Sequence, residues 1–221
     1  MKNFNQQIHK KIPYRTLPGM IANILREEIV SGALGGGLQL KQEELATKYG
    51  VSLSVLREAL KSLEAEGLVV FFPNRGAIVS ELSAAEAREI FDIRLYLELG
   101  ALELSIPNLT ADDLAEAEGL LRQADTEDGG LRLGELNWQF HETLYRASNR
   151  PKLLSLIQNM HNNVERYMRL YLSILNYRAK SQEEHRRLLD ACSRRDVKAA
   201  QELLRRHMAE ASALLSGYLS R

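Results

Sequence analysis

Between Leu40 and Ser80 the sequence LKQEELATKYGVSLSVLREALKSLEAEGLVVFFPNRGAIVS leaves few folds open. Gln42–Tyr49 reads as a short helix that turns Leu45 and Ala46 inward, with Ala46 small enough for a second helix to pack closely. Gly50 suits the left-handed residue that ends such a helix, Val51 plugs the angle, and Ser52 is a favourable N-cap for the second helix. From Leu53 to Glu66, the residues Val55, Leu56, Ala59, Leu60 and Leu63 recur at helical spacing. Gly67 stops that helix and Leu68–Phe72 is a β-rich run. Pro73, Asn74 and Gly76 carry turn chemistry, and Ala77–Val79 returns as a second strand. A small helical subdomain with a hairpin would explain each piece but not their order. Helix, tight turn, helix and hairpin together form a winged helix-turn-helix, which lays its second helix in the DNA major groove and its hairpin against the flanking backbone.

The rest of the composition fits a soluble regulator. A chain of 221 residues has room for two modest domains. No apolar run approaches the ~20 residues that span a bilayer, and the N-terminus lacks the apolar core of an export signal, so a cytoplasmic protein without a membrane partner is expected. A single cysteine, Cys192, excludes an intrachain disulfide and suits a reducing compartment. The net charge is zero but unevenly split. Residues 1–80 carry ten Lys/Arg against seven Asp/Glu, and residues 81–221 carry nineteen against twenty-two. A weakly basic head on a weakly acidic body agrees with DNA contact at one end. Residues 1–15 read as a polar, loosely held arm, more a solvated tail than a DNA contact through Lys10, Lys11 and Arg15, with 16–80 as the DNA-binding domain and 81–221 as a second domain.

Beyond Ser80 the strand signals stop. Ser83-Ala-Ala-Glu86 is a capping box that opens a helix to about Ser105, and Pro107 ends that segment. Thr110-Ala-Asp-Asp113 caps a second helix that stops before Gly129-Gly130. A third is expected over about Leu131–Ser148, and a fourth from Pro151 to about Leu175. Ser181-Gln-Glu-Glu184 reads as the cap of a fifth, and Asp196 caps a sixth that runs to the end. About six helices with short connections imply an all-α antiparallel bundle, making the whole chain mainly α.

Three histidines in that bundle carry candidate chemistry. Asn137 and His141 lie four apart on one helix face, His185 lies one turn into the fifth helix and His207 midway along the sixth. Three imidazoles and one oxygen donor can surround a divalent metal in a bundle core. Spacing alone does not bring the three helices together, and isolated helix histidines are usually surface or hydrogen-bonded groups. His141-Glu142 begins like a zincin motif, but Tyr145 stands where its second histidine belongs, which speaks against a metal-dependent enzyme.

The segment from about Thr16 to Ser80 resembles the DNA-binding domain of GntR-family transcription regulators. The later segments resemble the helical FCD effector domain of the FadR/VanR-type branch. The matching pieces are Glu64-Ala-Glu-Gly-Leu68, Asn74-Arg-Gly-Ala77, Arg94 with Glu98, Asn137-x-x-Phe140-His141, Ser148-Asn149, Glu184-His185, and Asp196 followed by His207-Met208. They span almost the whole chain in the family's order, and six effector helices fit the shorter, VanR-like version. The resemblance implies a homodimer that reads a short inverted repeat in double-stranded DNA and answers to a small organic acid or sugar acid. It implies a divalent ion, zinc or nickel, at Asn137, His141, His185 and His207. It places Arg94 at the effector pocket, where a guanidinium suits a carboxylate; the alternative is a surface arginine paired with Glu98 one turn on. Release of DNA on effector binding, hence repression without it, is the commoner arrangement in the family. A direct metal sensor with no organic effector is the other reading.

The departures from the family pattern lie in the DNA reader. Recognition helices of the family commonly begin Val-Ser-Arg-Thr-Pro-Val-Arg-Glu-Ala-Leu, where this chain has Val51-Ser52-Leu53-Ser54-Val55-Leu56-Arg57-Glu58-Ala59-Leu60. Leu53 replaces an arginine, Glu43 replaces another, the usual Pro-Gly becomes Gly35-Gly36-Gly37, and an expected arginine becomes Gln39. Lost arginines remove bidentate guanine readout, so an altered operator preference or weaker binding is expected, with Leu53 free to touch a thymine methyl. Lys41, Ser52, Ser54, Arg57, Lys61 and Arg75 remain as the candidate DNA contacts.

Overall fold

A computed structural model describes residues 16–127, 130–174 and 178–220; the expected arm over 1–15 lies outside the described residues. The head begins with α1 (Leu17–Val30), capped by Thr16 and with Pro18 in its first turn. Ile21, Ala22, Leu25 and Ile29 form its buried stripe, which packs on the helix after the tight turn. Next come β1 (Gln39–Leu40), α2 (Gln42–Tyr49), α3 (Leu53–Ala65), β2 (Val69–Phe72) and β3 (Gly76–Val79).

The helix-turn-helix forms as its residue order predicts. Gly50 closes α2 in the left-handed region at φ 64°, and Ser52 caps α3 by accepting from the Val55 N–H. Leu56, Ala59, Leu60 and Leu63 face inward. The hairpin pairs β2 with β3 antiparallel, Val69 opposite Val79 and Phe72 opposite Gly76, and Asn74 turns the tip at φ 63°. The sheet has a third strand that periodicity cannot show: two-residue β1 pairs outside β3, with Gln39 opposite Ile78 and Leu40 opposite Ala77. Burial of Leu40 fixes that register.

The second region contains α4 (Ala84–Ser105), a 3₁₀ turn at Ile106–Asn108, α5 (Ala111–Thr126), α6 (Gly130–Arg146), α7 (Pro151–Ile174), α8 (Arg178–Ser193) and α9 (Val197–Leu219). Both expected capping boxes are complete, Ser83 with Glu86 and Thr110 with Asp113. Helices α4 and α9 pack along each other, as do α5 and α6, around Phe91, Leu102, Phe140, Tyr145, Leu188 and Leu204. Each such leucine contributes ~2 kcal/mol or more by leaving water.

One expected boundary is wrong. Ser181 does not cap the fifth helix of this region, because α8 already starts at Arg178. The added turn is held from outside: the Arg178 guanidinium donates to the Ala124 and Asp125 carbonyls at the end of α5. Carbonyls in the last turn of a helix lack an intrahelical partner, so tertiary capping outweighs the local Ser-x-x-Glu signal. The two regions meet along α7. The Asn163 amide donates to the Glu66 carbonyl at the end of α3 (2.8 Å), and the Tyr167 hydroxyl accepts from the Leu82 N–H (2.8 Å). Gly67, at φ 76°, brings its backbone so close that a Cβ there would lie 3.0 Å from Asn163 Oδ1.

Candidate functional site

On the head, α3 holds Ser54, Arg57 and Lys61 exposed, at the steps of three and four that share a helix face. Ser52 uses its hydroxyl for the helix cap and lies 2.9 Å from the Ser54 hydroxyl. Arg57 Nε donates to Gln42 Oε1 at 3.0 Å. Lys41 precedes α2 and pairs with Glu44 at 2.9 Å, but both side chains are mostly in water, where such a pair is weak. Arg75 stands exposed at the tip of the hairpin. Leu53, at the start of α3, keeps 36% of its surface exposed, an apolar side chain on the helix expected to read DNA.

The second cluster lies in the interior of the helical region. His141 from α6 and His185 from α8 are buried, while His207 from α9 keeps 13% of its side chain in contact with solvent. The Nε2 atoms of His141 and His185 are 3.2 Å apart, and those of His185 and His207 are 3.3 Å apart. All three donor atoms lie within 4.8 Å of one another.

The outer nitrogens decide what those contacts are. Tyr145 donates its hydroxyl hydrogen to Glu98 Oε2 (2.7 Å), which leaves the Tyr145 hydroxyl oxygen to accept from His141 Nδ1 (3.2 Å). The Gln182 NH₂ donates to the Leu121 carbonyl and to Asp125 Oδ1, which fixes the amide and leaves its oxygen to accept from His185 Nδ1 at 3.3 Å. Glu184 Oε2 accepts from His207 Nδ1 at 2.7 Å. Each imidazole thus carries its hydrogen on Nδ1, and three Nε2 lone pairs converge with no proton between them. Burial, then the neighbouring imidazoles, holds His141 well below the usual histidine pKa; burial and His207 do the same to His185.

Three converging lone pairs suit a Lewis acid. Zinc–imidazole bonds of about 2.0–2.1 Å set nitrogens about 3.4 Å apart around a tetrahedral ion, close to the separations here. Metal-binding histidines usually donate their outer ring N–H to an oriented oxygen, the place Glu184, Gln182 and Tyr145 take here. Asn137, one turn before His141 on α6, is half-buried.

Arg94 is the expected effector residue, and its environment merges the two readings of it. It pairs with Glu98 at i+4 through Nε (2.9 Å), yet it is only 7% exposed and lies over the Phe91 ring. Glu98 continues the chain to Tyr145 and so to His141. Among the described residues, nothing engages the two terminal nitrogens of Arg94. A second buried pair escaped sequence reasoning: His161 Nε2 lies 3.1 Å from Glu165 Oε2 on α7, with Trp138 against the His161 ring. Its one signal is the i, i+4 spacing. Cys192 is packed in the core, with its thiol pushed up to about 12 by burial. Among the described residues no helix is long and apolar enough to cross a membrane.

Two family models match this chain. "Bacterial regulatory proteins, gntR family" covers residues 17–79, and the FCD domain covers residues 89–210. The uncharacterized HTH-type transcriptional regulator YdhC of Bacillus subtilis is 30% identical over 196 residues, 84% of each chain. The HTH-type transcriptional regulator McbR of Escherichia coli is 32% identical over 153 residues, 68% of this chain and 69% of that one. The solved structure of E. coli McbR/YncC superposes with a TM-score of 0.81 at 28% identity, over 92% of this chain and 98% of that one. The gluconate operon transcriptional repressor of Bacillus licheniformis is 30% identical over 177 residues, 77% of this chain and 70% of that one.

Proposed function

The chain belongs to the GntR family, with an FCD domain behind its winged helix, and from that premise we propose that it is a homodimeric cytoplasmic repressor released from DNA by a small organic acid. The division is 16–80 for the DNA reader and 81–221 for effector binding and dimerisation. A single helix-turn-helix makes few base contacts, and two related by symmetry read an inverted repeat. Ser52, Ser54, Arg57 and Lys61 on α3, Lys41 before α2 and Arg75 on the wing are the proposed contacts, and repressors among the relatives support the sign.

The carrying observation is the convergence of three Nε2 lone pairs in a buried site joined through Tyr145 and Glu98 to Arg94. His141, His185 and His207, with Asn137 as oxygen donor, would hold a divalent ion, zinc or nickel. That ion supplies positive charge for an anionic ligand. Arg94 binds and orients the ligand's carboxylate through its terminal nitrogens. Glu98 holds the guanidinium in place, and Tyr145 carries that order to His141. The effector acts through its differential affinity for the DNA-competent and DNA-incompetent placements of the heads. Helix α7, which touches the end of α3 through Asn163, is where the helical domain meets the reader. His141-Glu142 lacks the second histidine of a zincin motif, Tyr145 standing in its place, and an enzyme would leave the winged helix unexplained, so the reading is a regulator and not an enzyme.

Fluorescence anisotropy tests it, using labelled DNA from upstream of the protein's own gene and a scrambled duplex at matched salt. The expected result is sequence-dependent binding that small carboxylates release from the metal-loaded protein. Equal binding to both duplexes, or release by the metal alone with no acid, contradicts it; the latter would describe a direct metal sensor.

A further inference from the structure

Both DNA-facing elements of the head are touched by one short segment, and we propose that its two glutamines, Gln42 and Gln39, are positioning residues that preset Arg57 and the wing tip for DNA. The proposal rests on the assignment of α3 and the wing as the reading elements.

Arg57 is an exposed arginine, the kind of side chain that samples many rotamers in water. Here Gln42, the first residue of α2, accepts from its Nε at 3.0 Å across the helix-turn-helix. With Nε engaged, the guanidinium keeps Nη1 and Nη2 for DNA, the end-on pair that matches O6 and N7 of guanine. An amide is well chosen for this task. A carboxylate would hold the arginine more tightly but would cancel its charge and repel phosphates; a neutral acceptor orients the group and leaves it cationic. The adjacent Glu43 and Glu44 show that acids are tolerated in this segment, and Glu44 is the one that ties down Lys41.

Three residues earlier, Gln39 reaches the other reading element. Its Nε2 donates to the Arg75 carbonyl at 2.6 Å, across 36 residues of sequence. The Arg75 N–H donates to the Phe72 carbonyl, so the wing-tip peptide is held on both sides while the Arg75 side chain stays exposed. Leu40, buried between the two glutamines, anchors the segment in the sheet. One rigid stretch therefore sets the spacing of the recognition arginine and the wing, a distance that the groove and flanking backbone of the operator must match.

The test uses the full chain and a duplex that the wild-type protein selects from a randomised pool at fixed salt. Anisotropy gives the affinity of wild type, Gln42→Met, Arg57→Ala, the double variant and Gln39→Ala for this duplex, for single base-pair substitutions of it, and for a scrambled control. Arg57→Ala is expected to weaken binding about tenfold and erase preference at one G·C pair per half-site. Gln42→Met, which keeps the length but removes the acceptor, is expected to weaken binding about fivefold and flatten preference at that same pair, with no further loss in the Arg57→Ala background. Gln39→Ala is expected to weaken the selected and scrambled duplexes alike by about threefold. Thermal melting should place all variants within a few degrees of wild type. Wild-type preference in Gln42→Met while Arg57→Ala loses it overturns the positioning role alone, as does a Gln42→Met effect that adds fully to Arg57→Ala. Wild-type binding by Gln39→Ala overturns the wing half. Wild-type binding by Arg57→Ala overturns the assignment of that arginine and the proposal with it.

Discussion

The reading face proposed for the head and the interior of the helical domain hold their candidate side chains by different physics. On the head, Ser54, Arg57, Lys61 and Arg75 stand in water, and their role is decided by where a rigid turn, helix and hairpin aim them. In the interior, His141 and His185 are buried and each outer nitrogen is matched to a specific acceptor. A surface position can change without stranding a partner, and the departures from the family pattern noted in the sequence, Leu53 and Glu43, both lie at exposed positions. A buried position cannot: each histidine, its orienting group and that group's own partner stand or fall together.

The largest effect expected from this contrast is at His185, whose Nε2 faces both other imidazoles. His185→Ala should cost more than about a hundredfold in metal affinity, exceeding the loss from any orienting group, and elemental analysis after gel filtration should find little metal retained. Tyr145→Phe comes next. It removes the acceptor of the His141 Nδ1 hydrogen and the donor to Glu98, so metal affinity should fall about 10–100-fold and stability by about 1–3 kcal/mol. A Tyr145→Phe protein with wild-type metal affinity would break the claim that the interior works as a unit.

The head should respond more mildly and without loss of stability. Restoring the missing cation by Leu53→Arg should tighten DNA binding severalfold and steepen its salt dependence by about one ion, read from anisotropy over a salt series. Wild-type salt dependence would mean that Leu53 does not face DNA.

The smallest effect belongs to an exposed position of the helical domain, away from both sites. Thr110→Ala breaks the capping box of α5 and should cost about 1 kcal/mol, a fall of about 2–4 °C in melting temperature, with DNA and metal binding untouched. The hydrogen bonds from Thr110, followed by Arg146, hold the Asp113 carboxyl below its usual range. A lowered carboxyl stabilises the fold above its unfolded-state pKa and loses that contribution as pH falls through the folded-state value. The difference between wild type and Thr110→Ala should therefore shrink on acidification below the ordinary carboxylate range.

The two regions were also legible to different degrees. The helix-turn-helix and wing are local: Gly50, Ser52, Gly67 and Asn74 act on their own neighbours, so residue order predicts them. Residue order cannot show β1, whose two residues become a strand only against β3, or the first turn of α8, which Arg178 secures on α5. In the interior, sequence places His141, His185 and His207 on separate helices, and resemblance alone suggests that they meet. The tautomers depend on Gln182, Glu184 and Tyr145, and on Glu98 and Leu121 beyond them, contacts made in space. Arg94 shows the same limit. Its i+4 pairing with Glu98 is readable from spacing, but its burial is not.

The most direct test of the histidine site is nitrogen NMR of the imidazoles in metal-free protein at neutral pH, repeated after addition of one equivalent of zinc. The hydrogen bonds require His141, His185 and His207 to carry their hydrogen on Nδ1, and zinc should then shift the three Nε2 resonances together while the Nδ1 hydrogens stay in place. A hydrogen on any of those Nε2 atoms in the metal-free protein, or Nε2 resonances that ignore zinc, would contradict the account.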